Sequence, residues 1–277
     1  MRRGACVGPQ LTTQKSFGLF RRATIFVLPA VFILVALTIA IATALLAPRL
    51  LPRRVRMDVA PDRPRAFGSE MSWLAVKTDD AGRLAAVLGL DDLSVANWNS
   101  GIGAICDLKL SDSFVFTAPA VEGWPFVAGV SLPLPLRGGF VEKAAPLLTR
   151  VAREFRSVQY FATFPIIDFY AWAWFENGQP LRASAFGEAG PVWDAGRPTA
   201  AERELGLSTL ELRGIVNRQG DIGGALQLHP TESHVLGIAG GWGLNPMMIE
   251  ALGGRHSTGW IARVPHAWRA ERVRSAA

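Results

Sequence analysis

VQYFATFPIIDFYAWAWFENGQPLRASAF, residues 158–186, is the stretch that decides the fold. It holds three runs rich in aromatic and β-branched residues, at Val158–Phe164, Ile166–Phe175 and Leu181–Phe186. Such residues favour β-strands. Asn177-Gly178 separates the second run from the third, and this dipeptide is typical of a tight hairpin turn. The stretch therefore predicts a strand followed by a hairpin.

The segments before this stretch complete an α+β pattern. They predict a strand at Met71–Lys77, a helix from Asp79 or Asp80 to Leu88, strands at Ser113–Ala118 and Phe126–Leu132, and a helix at Phe140–Phe155. Together with residues 158–164, the order is strand, helix, strand, strand, helix, strand. This order predicts a ferredoxin-like antiparallel sheet domain, with its helices on one face and an extra hairpin at its end.

The remaining segments of the domain carry weaker signals. Leu93–Gly103 resembles a loop, and Arg213–Gln227 is rich in glycine and is expected to be irregular. Thr199 can cap a short helix that reaches Leu205, and two further short helices are expected at Glu232–Ile238 and Pro246–Leu252. We expect the globular α+β domain to cover residues 68–265 and a loose basic tail to cover residues 266–277.

A run of 25 uncharged residues, 23–47, precedes the domain. Fourteen of them are Leu, Ile, Val or Phe, and a helix of this length extends about 37 Å. Because the hydrocarbon core of a bilayer is about 30 Å thick, the run predicts a single transmembrane helix. A basic N-terminal segment, residues 1–22, lies before it, and a linker rich in proline and arginine, residues 48–67, follows it.

An uncleaved anchor has two alternatives, a buried core helix and a cleaved signal peptide. A buried core helix of this length would carry a polar face, which this run lacks. Ala42-Thr43-Ala44 resembles a signal-peptide cleavage site, but the apolar run is longer than the roughly 7–15 residues usual in signal peptides, which favours the anchor. Lys and Arg are almost equally frequent on the two sides, five before and six after, so the sequence does not assign the side of the large domain.

The charge distribution separates lipid from nucleic acid as a partner. The net charge is +6, yet nine basic residues and no acidic residue precede Asp58, which leaves the rest of the chain at −3. Basic residues that flank an apolar helix fit anionic lipid headgroups. We therefore expect membrane lipid as a partner and no nucleic acid.

Short aromatic motifs carry a resemblance to a known group of proteins. They are Trp73-Leu74-Ala75-Val76-Lys77-Thr78, Asn97-Trp98, Gly123-Trp124, Val158-Gln159-Tyr160-Phe161, Ala171-Trp172-Ala173 and Gly241-Trp242. From Trp73 to about Pro265 the chain resembles a family of uncharacterised bacterial proteins with a Trp-rich α+β domain. The resemblance implies no activity, cofactor or catalytic residue.

The aromatic residues supply the first functional hypothesis, a binding or interaction module for a protein or small-molecule ligand. In an extended strand, Asp168, Tyr170, Trp172 and Trp174 share one face. Trp98 and Trp124, on neighbouring loops, are expected to join them as ligand-binding residues. Core packing is the alternative for most of these rings, because a sheet covered on both sides would bury them.

A hydrolase-like enzyme is the alternative function. Asp168 or Glu176 would act with His229 or His234, provided that the side chains meet in one pocket. His229 and His234 are five residues apart with a proline between them, which does not match helical zinc motifs, so no metal site is expected. Cys106 is interpreted as a buried structural cysteine. No cofactor-binding motif is evident, and we expect no cofactor.

Overall fold

A computed structural model describes residues 31–43, 56–136, 140–188, 190–207, 209–211, 216–217, 220–221, 225–227 and 229–271. The chain divides into two compact units, Met1–Arg56 and Met57–Ala277. In the first unit, residues 31–43 form a helix, α1. The ends of the predicted transmembrane run and residues 48–55 of the predicted linker lie outside the described residues. Within the described residues, no helix has both the length and the hydropathy needed to cross a bilayer.

The second unit is built on strands with short helices between them. Its strands are β1 (Met71–Val76), β2 (Asp91–Asn97), β3 (Phe114–Val121), β4 (Trp124–Gly129), β5 (Ser157–Phe164), β6 (Phe169–Glu176), β7 (Gln179–Gly187), β8 (Gly190–Gly196), β9 (Thr209–Glu211), β10 (Val216–Asn217), β11 (Gly220–Asp221), β12 (Ala225–Gln227) and β13 (Thr258–Arg263). Its helices are α2 (Ala81–Leu88), α3 (Trp98–Cys106), α4 (Ala144–Glu154), α5 (Ala200–Glu204) and α6 (Glu232–Trp242), with 3₁₀ turns at Pro165–Ile167, Pro246–Leu252 and His266–Trp268.

Nine of the strands form one sheet in the order β2-β13-β3-β4-β1-β5-β6-β7-β8, and each neighbouring pair in it is antiparallel. The remaining four form two small two-stranded sheets. Sheet and helices together confirm the predicted α+β class. Four central strands lie in the order β3-β4-β1-β5, which interleaves two β-α-β units.

Helices cover both faces of the sheet, whereas the sequence predicted helices on one face. Alternate strand residues point to opposite sides, so Trp73 and Ala75 enter one core while Leu74 and Val76 enter the other. The first core packs against α3 and α6, and the second against α2 and α4. Of the helices in the first core, α3 lies between β2 and β3 and α6 follows β12, so neither belongs to the predicted order of strands and helices.

One segment that was expected to resemble a loop belongs to the sheet and to its cover. Residues within Leu93–Gly103 form the end of β2 and most of α3, which begins where the side chain of Asn97 accepts a hydrogen bond from the backbone N–H of Ser100.

Thr258–Arg263, for which the sequence predicted no element, is β13, and it pairs with both β2 and β3. The start of the predicted loose tail is also structured, because His266–Trp268 form a 3₁₀ turn and the carbonyl of Glu271 accepts a hydrogen bond from the backbone N–H of Val141.

Candidate functional site

Asp168 and His229 meet at the end of the sheet where β5 turns into β6. Oδ2 of Asp168 lies 3.3 Å from Nε2 of His229, and both side chains are about half exposed. Asp168 has a left-handed backbone, with φ of 51°, and closes the 3₁₀ turn by donating its N–H to the carbonyl of Pro165. Aspartate tolerates this conformation better than most residues. The structure thus brings together one of the acid–histidine pairs that the sequence suggested.

Aromatic rings fix the imidazole from the side. The ring of His229 lies 6.0 Å, centroid to centroid, from the rings of both Tyr170 and Phe186. These two aromatic residues are cross-strand partners on β6 and β7. Nδ1 of His229 also lies 3.1 Å from the carbonyl oxygen of Pro230. Both ring nitrogens therefore face oxygen acceptors, and the arrangement orients the ring.

A second carboxylate stands near this pair, at the start of α6. The hydroxyl groups of Ser69 and Thr163 both donate to Glu232, at 3.2 Å. An anionic side chain in the first turn of a helix also gains from the helix dipole. Burial of the Tyr170 phenol raises its pKa, and the charges of Asp168 and Glu232 raise it further. Tyr170 is therefore neutral at ordinary pH and can donate a hydrogen bond.

Glu176 and His234, the other two members of the suggested enzyme pairs, are engaged elsewhere. Glu176 lies at the far end of β6 from Asp168, roughly 25 Å along the strand. It pairs with Arg156 at 3.3 Å and accepts a hydrogen bond from the indole of Trp174. His234 accepts from the backbone N–H of Thr231 and so closes the first turn of α6. Only Asp168 and His229 remain as a candidate catalytic pair.

Most of the predicted ligand-binding aromatics lie in the core. Trp98, Trp124, Tyr170 and Trp172 are all buried. The indole of Trp98 donates to the hydroxyl of Ser257, and that of Trp172 donates to Glu202. In this structure these four rings pack inside the protein, and they do not line an open groove. Of the six predicted residues, Asp168 is exposed and Trp174 is partly exposed.

A cleft that the sequence did not indicate lies between the loop after β4 and the segment after β13. Its volume is about 480 Å³, and apolar side chains form most of its wall. They include Val130, Leu132, Leu134, Leu136, Val264 and Trp268. Small-molecule sites are usually concave, apolar and about 300–1,000 Å³ in volume. The run Ser131-Leu132-Pro133-Leu134-Pro135-Leu136 was the available signal, because alternate prolines keep leucines extended and prevent their pairing in a sheet.

Charged groups lie at the edge of this cleft. Asp112, Lys143 and Arg269 line it, and the side chain of Lys143 is only 19% exposed. The ammonium of Lys143 donates to the carbonyl of Arg269 at 2.5 Å and lies 3.5 Å from the carboxylate of Glu271. The backbone N–H of Val141 donates to the carbonyl of Glu271 at 2.8 Å. The segment 264–271 is thereby held across one side of the cleft, and we call it the C-terminal strap.

Other candidate chemistry is limited in the part of the chain that the structure describes. Cys106, expected to be buried, is exposed because it ends α3 on the side away from the core, and partial burial of its thiol raises its pKa. A thiol with a raised pKa is a poor nucleophile. Among the described residues, no group of three or more His, Cys, Asp or Glu side chains could hold a metal ion.

Comparison of the chain with protein-family models, with curated proteins and with solved structures finds no match. The resemblance to a family of uncharacterised bacterial proteins therefore stays a prediction.

Proposed function

We propose that this chain is a membrane-anchored binding module that holds a small molecule in the cleft beside the C-terminal strap. The cleft is the observation that carries the proposal. Its volume and its apolar wall suit a small ligand, and Lys143, Arg269 and Asp112 add the few polar groups that fix orientation in such sites. The ligand site thus lies away from the aromatic strand residues that the sequence suggested.

Residues 31–43 support the membrane anchor, which we assign to residues 23–47. Every described residue of α1 is exposed, and Phe32 and Ile33 are 67% and 68% exposed. An apolar helix without a polar face is stable where lipid or protein covers it. The hydroxyl groups of Thr38 and Thr43 donate to carbonyl oxygens one turn earlier, which lowers the cost of placing them in hydrocarbon. The proposal is a single-pass membrane protein, and it leaves open on which side the large domain lies.

We assign the part of the domain from β1 to β5 to a ferredoxin-like core. The strand order β3-β4-β1-β5 supports this assignment, as do α2 and α4, which pack together in one core. In this proposal β2 and α3 are an insertion between the first helix and the second strand, and β6 and β7 are the extra hairpin.

Membrane extraction tests the anchor. In full-length protein expressed in bacterial cells, arginine at both Leu34 and Leu37 is expected to move the chain from the alkali-resistant membrane fraction to the supernatant. Each buried arginine costs roughly 2.5–3.5 kcal/mol of insertion free energy. Leu108→Arg is the matched control, because Leu108 is 94% exposed in the large domain. A double variant that stays in the membrane would contradict the anchor.

Ligand titration tests the cleft. The probe is octan-1-ol, added to the full chain in lipid nanodiscs and measured by calorimetry against empty nanodiscs. We expect saturable binding by the natural chain and loss of binding in Leu134→Trp, which fills the cleft. Leu108→Trp adds the same indole on the exposed surface and is expected to bind normally. Equal binding by all three proteins, or by none, would contradict a ligand site in this cleft.

A hydrolase-like enzyme is the second candidate, and one observation favours it, the 3.3 Å approach of Asp168 and His229. A carboxylate that holds an imidazole is the usual partner of a histidine base. For this role, a substrate or a water molecule would replace the Pro230 carbonyl beside Nδ1. We expect Asp168→Asn and His229→Asn to abolish hydrolysis of p-nitrophenyl acetate above background, and Glu176→Gln to leave it unchanged. Activity retained in His229→Asn would reject the enzyme.

A further inference from the structure

We propose that the ligand of the cleft is an anionic amphiphile, a single-chain carboxylate whose head binds Lys143 and displaces Glu271. This inference rests on the proposed binding function and adds the chemical class of the ligand. It also gives the C-terminal strap a role, because the strap carries the carboxylate that the ligand replaces.

The charges at the edge of the cleft favour an anion. Of the three charged residues that line it, Lys143 and Arg269 are cationic and Asp112 is anionic. Glu271 balances the remaining positive charge, so the edge has a net positive charge once that carboxylate moves away from Lys143. Lys143 is the most enclosed of them, with its side chain 19% exposed. A partly buried ammonium is stabilised by an opposite charge within about 4 Å. A ligand with a negative head can supply that charge.

The chain already places a carboxylate at this position. Glu271 lies 3.5 Å from the ammonium of Lys143, yet its own side chain is 63% exposed. Because the Glu271 side chain is mostly exposed, water can solvate its carboxylate when it leaves Lys143, so Glu271 can be exchanged at small cost. The carboxylate of Glu271 therefore stands in for the head of the ligand, and it marks where that head would lie.

The wall of the cleft favours an unbranched apolar chain behind the head. Leu132, Leu134, Val264 and Trp268 line the same cleft as Lys143. The volume of about 480 Å³ lies in the lower half of the range for small-molecule sites, which suits one short chain better than a two-chain lipid. The apolar chain supplies affinity by leaving water, and the ion pair supplies selectivity for an acid over an alcohol.

Octanoate and octan-1-ol, which share a chain length and differ in the head, test this inference on the full chain in nanodiscs. We expect octanoate to bind the natural chain about tenfold more tightly than the alcohol. Lys143→Met is expected to remove that preference while alcohol binding remains. Lys109→Met, which changes an exposed lysine outside the cleft, is expected to keep it.

Glu271→Gln is expected to strengthen binding, whereas a variant that lost its structure would bind more weakly. Removing the competing carboxylate is expected to raise octanoate affinity roughly two- to fivefold, with no change for octan-1-ol. Glu250→Gln, on a surface turn, is the control and is expected to change neither. Equal affinity of the natural chain for acid and alcohol would overturn the anionic ligand and leave the proposed cleft in place. Binding of neither probe would overturn both.

Discussion

The two tyrosines of the chain, Tyr160 and Tyr170, make its stability depend on pH in the alkaline range. Burial raises the pKa of both phenols. Tyr160 is buried and donates to the carbonyl of Pro133 at 2.9 Å. Since both residues keep their protons longer in the folded state, ionisation in the unfolded state favours unfolding as pH rises past about 10. The contribution of the two tyrosines to stability is therefore expected to be fully present below that pH and to fall above it.

Ultraviolet absorbance near 295 nm measures this directly. In strong denaturant, both tyrosines are expected to ionise near pH 10. In the folded chain, the tyrosinate signal is expected only at higher pH, together with loss of the native circular dichroism spectrum. Because the chain has only two tyrosines, a signal near pH 10 in folded protein would mean that one of them is not buried as described.

The buried ion pair between Arg182 and Glu202 is expected to contribute to the free energy of unfolding. Arg182 and Glu202 are 2% and 1% exposed, and their side chains are 2.8 Å apart. Glu202 also accepts hydrogen bonds from the indole of Trp172 and the backbone of Thr199. Breaking a buried pair typically costs 3–5 kcal/mol. The low end of that range is expected here, because Arg182 also pairs with Asp194 and keeps one carboxylate partner.

Glu202→Gln is therefore expected to lower the free energy of unfolding by about 3 kcal/mol in urea denaturation. Glu204→Gln, two residues later in α5 and exposed, is expected to have almost no effect. Equal stability of the two variants would show that the buried pair does not hold α5 on the sheet.

Single residues also show how far the sequence could predict the site. The sequence could suggest the pairing of Asp168 with His229, because both residues flank predicted elements and both side chains can exchange protons. The sequence could not show which acid meets which histidine, since Asp168 and Glu176 stand at opposite ends of the same aromatic strand and either end could face a histidine. The tryptophans were ambiguous for a different reason. Strand alternation gives the face of Trp172, but it does not say whether a helix covers that face.

At the scale of elements, the hairpin turn between β6 and β7 was predicted, and the structure confirms it. Asn177 and Gly178 both have positive φ, 49° and 79°. A two-residue turn with this backbone matches the twist of the two strands. Glycine adopts a positive φ without strain, whereas other residues pay roughly 1–2 kcal/mol for it.

Gly178→Ala is expected to destabilise the chain by about 1 kcal/mol, measured by urea denaturation. Gly103→Ala is the matched control with the opposite sign. Gly103 lies inside α3, and an added methyl group there meets no atom within 4 Å, so alanine is expected to stabilise by about 0.5–1 kcal/mol. A stabilising effect at Gly178 would contradict the described turn.

The strands β2 and β13 were not predicted, and each has a physical reason. The strand β2 begins with two aspartates, and Asp92 has a φ of 52°, so its local pattern resembles a turn. The strand β13 is short, and its partner β3 lies more than 130 residues earlier in the chain. Hydrophobic periodicity shows that a segment can pair, but it does not show with which distant strand.

The strand β13 joins the edge strand of the large sheet to the central strands. It lies between β2 and β3, and its residue Ile261 enters the core next to Phe116. Without β13, β2 would have no partner in the sheet and Phe116 would lose part of its cover. A chain that ends at Gly254 is therefore expected to lose cooperative unfolding. Native-like denaturation of that chain would contradict the described sheet.

The predicted α+β class is confirmed, whereas the prediction of helices on only one face of the sheet is wrong. Helices α2 and α4 follow strands in the order that the sequence showed, so one covered face was foreseeable. The second cover comes from α3 and α6, which lie in an insertion and after the small sheets of residues 209–227. The cleft has the same origin, since its two walls come from segments more than 120 residues apart.

Methyl-resolved NMR of the full chain in nanodiscs tests the central claim, a small-molecule site in this cleft. Leucine methyl groups are labelled, and octan-1-ol is added stepwise. We predict saturable shifts for Leu132, Leu134 and Leu136, with Leu108 unchanged. Unchanged cleft leucines, or shifts of equal size at Leu108, would contradict the site and leave the chain without the ligand pocket proposed for it.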